Sequence, residues 1–132
     1  MSKCGQLLWF ALLVLALGCD SGPEKTGLRG QVTYGGKVIE RGTIDFIPAD
    51  GTGGPSTTSP ITNGQYEVVP ERGVRVDGTY TIRVIGLKKS GRMFRGYEME
   101  DNFIPENYNS KSTLKVRVAD LPEKDMVDFQ LR

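Results

Sequence analysis

The amino-acid sequence predicts an all-β domain, a seven-stranded antiparallel sandwich of the prealbumin or transthyretin type, after an N-terminal signal segment. Two observations point to an all-β domain. Apolar and polar residues alternate with period two in short runs, as half-buried strands require, and turn signals rich in glycine, proline or asparagine separate these runs. Beyond residue 27 no stretch has the period of an amphipathic helix. About seven short strands with such turns are typical of a sandwich.

The N-terminal segment precedes the first strand and is the clearest localisation signal in the chain. Lys3 is followed by an uncharged apolar run from Leu7 to Leu17, then by Gly18 and Cys19. A short basic region, an apolar run and a small residue describe a secretory signal, and the run is too short for a bilayer core that needs about 20 helical residues. The Ala16–Cys19 end resembles the lipobox of bacterial lipoproteins, which implies cleavage before Cys19 and lipid on its thiol. An ordinary secreted protein with a lone cysteine is the alternative.

These features predict three parts: a lipoprotein signal peptide over residues 1–18, a lipidated cysteine with a short tether over 19–26, and the β-sandwich over 27–132. Cleavage would leave 114 residues, enough for one core without disulfides or metals. Without Lys3, 16 basic residues balance 16 acidic ones, so no nucleic-acid surface is indicated. Histidine is absent, which removes the commonest general base at neutral pH.

Three strands are predicted before the first long loop. Leu28, Val32 and Tyr34 alternate with polar residues, and Gly35-Gly36 supplies a tight turn into Lys37–Ile39. Thr43–Ile47 resumes the pattern, and Pro48 is expected to end it, because proline cannot donate to a strand ladder.

The middle of the chain holds a loop and two further strands. Residues 49–59 are rich in glycine and proline and predict a loop. Asn63-Gly64 is a strong hairpin signal, followed by Tyr66 and Val68 on one face. The run from Thr79 to Ile85 is the cleanest strand, and its inward residues are Tyr80, Ile82 and Val84.

Two late strands complete the sandwich. The inward residues of the first are Leu114, Val116 and Val118, and those of the second are Val127, Phe129 and Leu131. Both runs alternate with charged or polar residues, which predicts strands with one buried face.

Several of these segments, in this order and spacing, resemble the carboxypeptidase regulatory-like (transthyretin-like) domain, and more narrowly the small lipoproteins of that type in planctomycete bacteria. The segments are Val32–Val38, Gly42–Pro48, Gly64–Tyr66, Gly78–Val84, Ile104–Asn109, Ser112–Leu114 and Asp128–Leu131. The resemblance implies a prealbumin-like sandwich, an extracytoplasmic and membrane-anchored location, and no catalytic residues.

Motifs for catalysis, cofactors or metals are not indicated. Gly51–Pro55 is glycine-rich, but no Gly-Lys-Ser/Thr follows, so a flexible loop is favoured over a phosphate cradle. The acidic residues Asp120, Glu123 and Asp125, and the pair Asp101-Asn102, lack the spacing of a calcium loop. We therefore expect no enzyme activity, no cofactor and no metal.

The segment 87–111 does not fit plain strands. Its charge changes from basic to acidic along the chain, with aromatic residues between. The structural alternative is a long excursion whose aromatics pack on the sandwich; the functional alternative is a recognition surface. The candidate binding residues are Phe94, Tyr97, Phe103 and Tyr108.

These observations predict a non-catalytic lipoprotein of the bacterial cell envelope, extracytoplasmic and membrane-anchored. Its sandwich would act as a structural or protein-interaction module at the membrane surface. The expected partners are the membrane, through lipid on Cys19, and an envelope protein or polysaccharide. The alternative is a carbohydrate-binding module that uses aromatics of the 87–111 segment.

Overall fold

A computed structural model describes residues 22–132, and almost all regular structure in it is β-strand, as predicted. The predicted signal peptide and Cys19 lie outside the described residues. The strands are β1 (Lys25–Thr26), β2 (Leu28–Tyr34), β3 (Lys37–Val38), β4 (Arg41–Ala49), β5 (Thr57–Thr62), β6 (Gln65–Val68), β7 (Val74–Arg75), β8 (Thr79–Phe94), β9 (Tyr97–Asn102), β10 (Lys115–Arg117) and β11 (Phe129–Leu131). Three single-turn 3-10 helices cover Pro70–Arg72, Glu106–Tyr108 and Val118–Asp120.

The main sheet follows a path of seven strands in the order β10-β8-β4-β5-β6-β2-β11, with β3 added to β2 and β9 added to β8. Its longest pairing is antiparallel, between β4 and β8, from Gly42 opposite Gly86 to Ala49 opposite Thr79. The sheet curls into a half-barrel whose inner face holds the core. Strands β1 and β7 pair separately beside it.

Two predicted hairpins are present at the predicted turns. Thr33 lies opposite Val38 across Gly35-Gly36, and Thr62 lies opposite Gln65 across Asn63-Gly64. Both central residues of each turn have positive φ, the backbone that matches the twist of a two-residue hairpin. Glycine and asparagine adopt this backbone at low cost, which is why the two turns are visible in the sequence.

Among the described residues, sixteen buried apolar residues form the core, and most of the predicted inward residues of the early and middle strands belong to it. They are Leu28, Val32, Ile39, Ile44, Phe46, Ile61, Tyr66, Val68, Val74, Tyr80, Ile82, Val84, Ile104, Val118, Phe129 and Leu131. The predicted residues Tyr34, Leu114, Val116 and Val127 are partly buried and pack against this cluster. The alternation with period two therefore identified the buried face correctly.

Several details of the predicted strands are wrong. β5 begins at Thr57, inside the predicted loop 49–59, and Leu114, Val118 and Val127 lie outside the late strands, with Val118 in a 3-10 helix. Pro48 does not end its strand: β4 continues to Ala49, and Pro48 lies opposite Tyr80 of β8. The pairing of β4 with β5 stops at Phe46, so β4 has a free edge there, where a missing N–H is tolerated. The C-terminal strand β11 pairs with β2 in parallel, Phe129 opposite Val32, whereas an antiparallel sheet was expected throughout.

The chain reaches β11 by passing very close to β2. A Cβ placed on Gly30 would lie 1.9 Å from the carbonyl oxygen of Val127, so only glycine fits there. The hydroxyl of Tyr66 donates to the same oxygen at 2.7 Å. These contacts fix the final segment against the sheet.

The described chain begins at the end of the domain where β8 also begins. Lys25 lies opposite Arg75, and the N–H of Val76 donates to the carbonyl of Glu24 at 3.0 Å. The backbone N–H of Arg75 in turn donates to the hydroxyl of Tyr80, near the start of β8, at 2.9 Å. The first described residues and the far end of β8 therefore lie at opposite ends of that strand.

Candidate functional site

The segment that the sequence left outside the strands is largely a β-hairpin. The first half of β8, up to Gly86, pairs with β4 and has a buried face, whereas its second half pairs with β9. Residues 87–102 therefore form a two-stranded ribbon, here called the arm, that extends the sheet beyond its core. The segment 87–111 was expected to lie outside regular strands, and this expectation is wrong for residues 87–102.

The arm closes in a tight turn at Arg95-Gly96, where both residues have positive φ. The register runs from Leu87 opposite Asn102 to Lys89 opposite Glu100, then resumes with Met93 opposite Glu98 and Phe94 opposite Tyr97. Three residues of β8 thus oppose a single residue of β9, which makes a bulge. Bulges bend a strand and change the direction of its side chains.

Four large apolar side chains near the turn are exposed to solvent. The exposed fractions are 66% for Met93, 60% for Phe94, 79% for Tyr97 and 41% for Met99, and these residues are here called the apolar tip. The register places Phe94 and Tyr97 directly across from each other on one face. Met99 follows Tyr97 by two residues and shares that face, whereas Met93 lies on the opposite face with Glu98.

Ion pairs compensate the acidic residues of the arm. Lys89 lies 3.6 Å from Glu98, Arg92 lies 2.5 Å from Asp101, and Arg41 of β4 pairs with Glu100. Exposed pairs of this kind contribute between zero and about 1 kcal/mol each to stability. Their main consequence here is that the negative charges of the arm are locally neutralised.

Two cations of the arm lie over aromatic rings. The ammonium nitrogen of Lys88 is 5.8 Å from the ring centroid of Phe103, and the guanidinium carbon of Arg95 is 5.2 Å from that of Phe94. Among the described residues neither forms an ion pair. The arm therefore presents uncompensated positive charge beside exposed apolar surface.

The rest of the segment packs against the domain. Phe103 is partly buried with its ring centroid 6.1 Å from that of Tyr34. The hydroxyl of Tyr108 donates to the carbonyl of Arg132 at 2.9 Å and accepts from its N–H at 3.0 Å. Of the four predicted binding residues, Phe94 and Tyr97 are exposed together, whereas Phe103 and Tyr108 lie in contacts that hold the fold.

The sequence analysis did not single out Met93 and Met99, which complete the apolar tip. Met93 precedes another apolar residue and so does not alternate with its neighbours, whereas Met99 stands between two glutamates and alternates with them. The alternation of Tyr97 and Met99 with Glu98 and Glu100 was a signal for Met99, while Met93 is marked only by its closeness to Phe94 in the chain.

Open clefts also lie elsewhere on the described part of the chain, and two of them are large. A groove of about 930 Å³ runs over β2 and β6 and is lined mainly by polar side chains such as Gln31, Gln65 and Glu67. Beneath it, burial and the nearby Asp128 carboxylate raise the pKa of the Tyr66 hydroxyl. A second cleft, of about 730 Å³, lies near the start of β8.

The second cleft is lined by side chains of both charges that bind one another. Lys115 donates to both carboxylate oxygens of Asp50, and Arg75 binds Asp77 at 3.0 Å through two hydrogen bonds. The hydrogen bonds to Arg75 hold the pKa of Asp77 below its usual range. Positive and negative groups are already matched in this cleft, so its charge favours no particular ligand.

The acidic residues considered as metal ligands are not brought together. Asp101 pairs with Arg92, and Asp125 lies 4.0 Å from Arg29. Within residues 22–132 no group of three or more acidic or cysteine side chains is close enough to hold a metal ion. The same residues contain no helix that is long and apolar enough to cross a bilayer.

Comparison of the chain with protein-family models, with curated proteins and with solved structures finds no match.

Proposed function

We propose that this protein is a non-catalytic lipoprotein of the bacterial cell envelope whose β-domain acts as a structural or protein-interaction module at the membrane surface. The observation that carries the proposal is the arm, which extends beyond the core and exposes Phe94 and Tyr97 side by side. A two-stranded ribbon on its own is at best marginally stable in water. Apolar side chains at the end of such a ribbon are typical of a surface that a partner covers.

The proposed anchor is lipid on Cys19. Two residues, Asp20 and Ser21, separate Cys19 from Gly22, the first described residue, so the domain would lie close to the membrane. Each buried CH₂ contributes about 0.8 kcal/mol, and two or more acyl chains hold a protein stably where one does not. Cys19→Ala should move the protein from the membrane fraction to the soluble fraction and leave its β-rich circular dichroism intact. Full retention in membranes would refute the anchor.

We also propose a sandwich topology and a family for the domain. We take the domain as a distant carboxypeptidase regulatory-like domain with a seven-stranded prealbumin-like sandwich. The hairpin at Gly35-Gly36, which lies within the segment Val32–Val38, supports this assignment, as does the turn that ends at Gly64, where the segment Gly64–Tyr66 begins. An experimental structure of a carboxypeptidase regulatory-like domain with a different strand order would count against it.

The role of the arm can be tested by photo-crosslinking in native envelopes. A photoreactive residue at position 97 should form adducts, whereas the same residue at position 37, on the exposed end of the β2–β3 hairpin, should not. An arm-shortened variant replaces Lys89–Glu100 by Asn-Gly, because Lys88 and Asp101 lie opposite each other and a two-residue turn can join them. Equal adduct formation at the two positions would contradict the interaction role.

A carbohydrate-binding module is the second candidate, and the exposure of Phe94 and Tyr97 on one face favours it. Sugar rings stack on such pairs, while the third aromatic residue considered, Tyr108, is held by Arg132. Retention of the domain on insoluble envelope polysaccharide, lost in Phe94→Ala/Tyr97→Ala and kept in Val69→Ala, would support this candidate. Equal retention of all three proteins would exclude these aromatics as the sugar site.

A further inference from the structure

The apolar tip presents side chains on both faces of a thin ribbon. Phe94, Tyr97 and Met99 share one face, and Met93, which is 66% exposed, lies on the other. A rigid partner on one face would leave the opposite face in water. A fluid apolar medium contacts both faces, because a hairpin end can enter it without a preformed groove.

The depth of the tip fits the interface of a lipid layer. The apolar side chains occupy the rungs 94–97 and 93–98 and the adjacent Met99. At about 3.3 Å per residue they lie within roughly 10 Å of the turn. Interfacial segments bury their apolar side chains about 5–10 Å into the boundary between headgroups and acyl chains, where aromatic rings are favoured.

The charges around the tip favour an anionic lipid surface. Lys88, Lys89 and Arg92 precede the tip along β8, and Arg95 lies at the turn. All three acidic residues of the arm are engaged by cations, so the uncompensated charges are those of Lys88 and Arg95. Cations beside an apolar end are complementary to lipid phosphates beside acyl chains.

We infer that the apolar tip inserts into the interface of an anionic lipid surface, with the basic residues of the arm bound to its phosphates. This inference rests on the proposed function, in which the arm is the binding element, and gives the partner a chemical class. The tip and the first described residues lie at opposite ends of β8, a strand of 16 residues. At about 3.3 Å per residue these ends are up to about 50 Å apart, so the tip binds lipid far from the attachment point.

Sedimentation with vesicles tests this inference on the chain Gly22–Arg132. All sixteen core residues lie between Leu28 and Leu131, so this chain keeps the core and lacks the apolar segment 7–17, which would bind lipid by itself. Vesicles of phosphatidylglycerol and phosphatidylcholine in equal parts should bind the domain, and vesicles of phosphatidylcholine alone should bind it more weakly.

Variants of the tip identify the contact. Phe94→Ser/Tyr97→Ser should weaken binding at least about tenfold, and Arg95→Ser about fivefold, as expected for one basic residue near an anionic surface. Val69→Ser, which alters a side chain 46% exposed far from the arm, and Lys37→Ser, on the other hairpin, should bind as the original domain does. The arm-shortened variant should not bind.

Three results would overturn the inference: no binding to the mixed vesicles, equal binding by the double variant, or binding to polygalacturonate but not to vesicles. The last result would identify an acidic polysaccharide, and not lipid, as the ligand of the tip. The results that would overturn the lipid inference differ from those that would overturn the proposed function. Crosslinks at position 97 without vesicle binding leave the interaction module standing, whereas equal crosslinks at positions 97 and 37 remove it whatever the vesicles do.

Discussion

The ring centroids of Phe46 and Phe129 lie 6.4 Å apart, although three strands separate β4 from β11 in the sheet. A flat sheet would keep strands so far apart in the order more than 15 Å from each other, at about 4.8 Å per strand. The curl of the sheet therefore brings them together, and Tyr66 completes the cluster, with its centroid 5.7 Å from Phe46 and 6.0 Å from Phe129.

Removal of one ring from this cluster should cost much of the stability of the domain. Phe46 is fully buried, so we expect Phe46→Ala to lower the free energy of unfolding by about 3–5 kcal/mol. The same substitution at the exposed Phe94 should change it by less than about 0.5 kcal/mol. Urea unfolding followed by circular dichroism measures both. Similar losses for the two variants would mean that the cluster does not hold the curl.

The Tyr66 hydroxyl should make stability depend on pH in the alkaline range. Its pKa is raised above the ordinary value of 10.0, mainly by burial and then by Asp128. The unfolded chain thus releases this proton first, and stability that is full below pH 10 falls as the pH rises above it. Tyr66→Phe removes this dependence, while at neutral pH it costs about 1 kcal/mol for the hydrogen bond to Val127.

Unfolding of both proteins at about pH 7 and about pH 11 checks this prediction. The difference in stability between the original protein and Tyr66→Phe should shrink at the higher pH. A constant difference would show that Tyr66 ionises equally in the folded and unfolded chain.

The close approach of the C-terminal segment to β2 should make Gly30 irreplaceable. Gly30→Ala would place a Cβ 1.9 Å from the carbonyl oxygen of Val127, and backbone cannot move aside as a flexible side chain can. We expect a loss of about 2–3 kcal/mol as the segment is displaced. Gly22→Ala, with nothing within 4 Å, is the matched control. Thermal unfolding of the two variants at equal transition temperatures would contradict the packing described.

The arm should contribute little to the stability of the domain. No core residue lies between Val84 and Ile104. The arm-shortened variant should therefore unfold within about 1 kcal/mol of the original chain, since it loses mainly exposed ion pairs. Chemical unfolding measures this difference. A loss of several kcal/mol would mean that the arm supports the core and is retained for stability.

The sequence predicts those parts of the fold that have one buried face. Tyr80, Ile82 and Val84 are recognisable because burial selects every second residue of β8. Beyond Gly86 the same strand continues with both faces in water, so burial does not impose an alternation of apolar and polar residues. The period-two pattern therefore does not predict this part of the strand. The turn of the arm is also hidden, because Arg95 has a φ of 50°, which is uncommon for arginine and common for asparagine or glycine.

The candidate site is predictable only in part for a related reason. Phe94 and Phe103 look alike in the sequence, since both are aromatic residues in a charged segment. What separates them is tertiary: Phe103 reaches the ring of Tyr34, whereas Phe94 lies beyond the last core residue of β8. The bulge opposite Met99 fixes which residues share a face, and no local signal specifies its position.

Because β8 runs from Thr79 to Phe94, with one bulge between Lys89 and Met93, a single strand connects the core with the arm. A load applied between β1, which pairs with β7, and the turn at Gly96 would run along β8, and its ladder with β4, eight residue pairs long, would bear it in shear. Hydrogen bonds loaded in shear must break together, while those of a hairpin pulled open break one at a time. A pull on the arm would on this account be resisted by the whole β4–β8 ladder and not by one residue pair at a time.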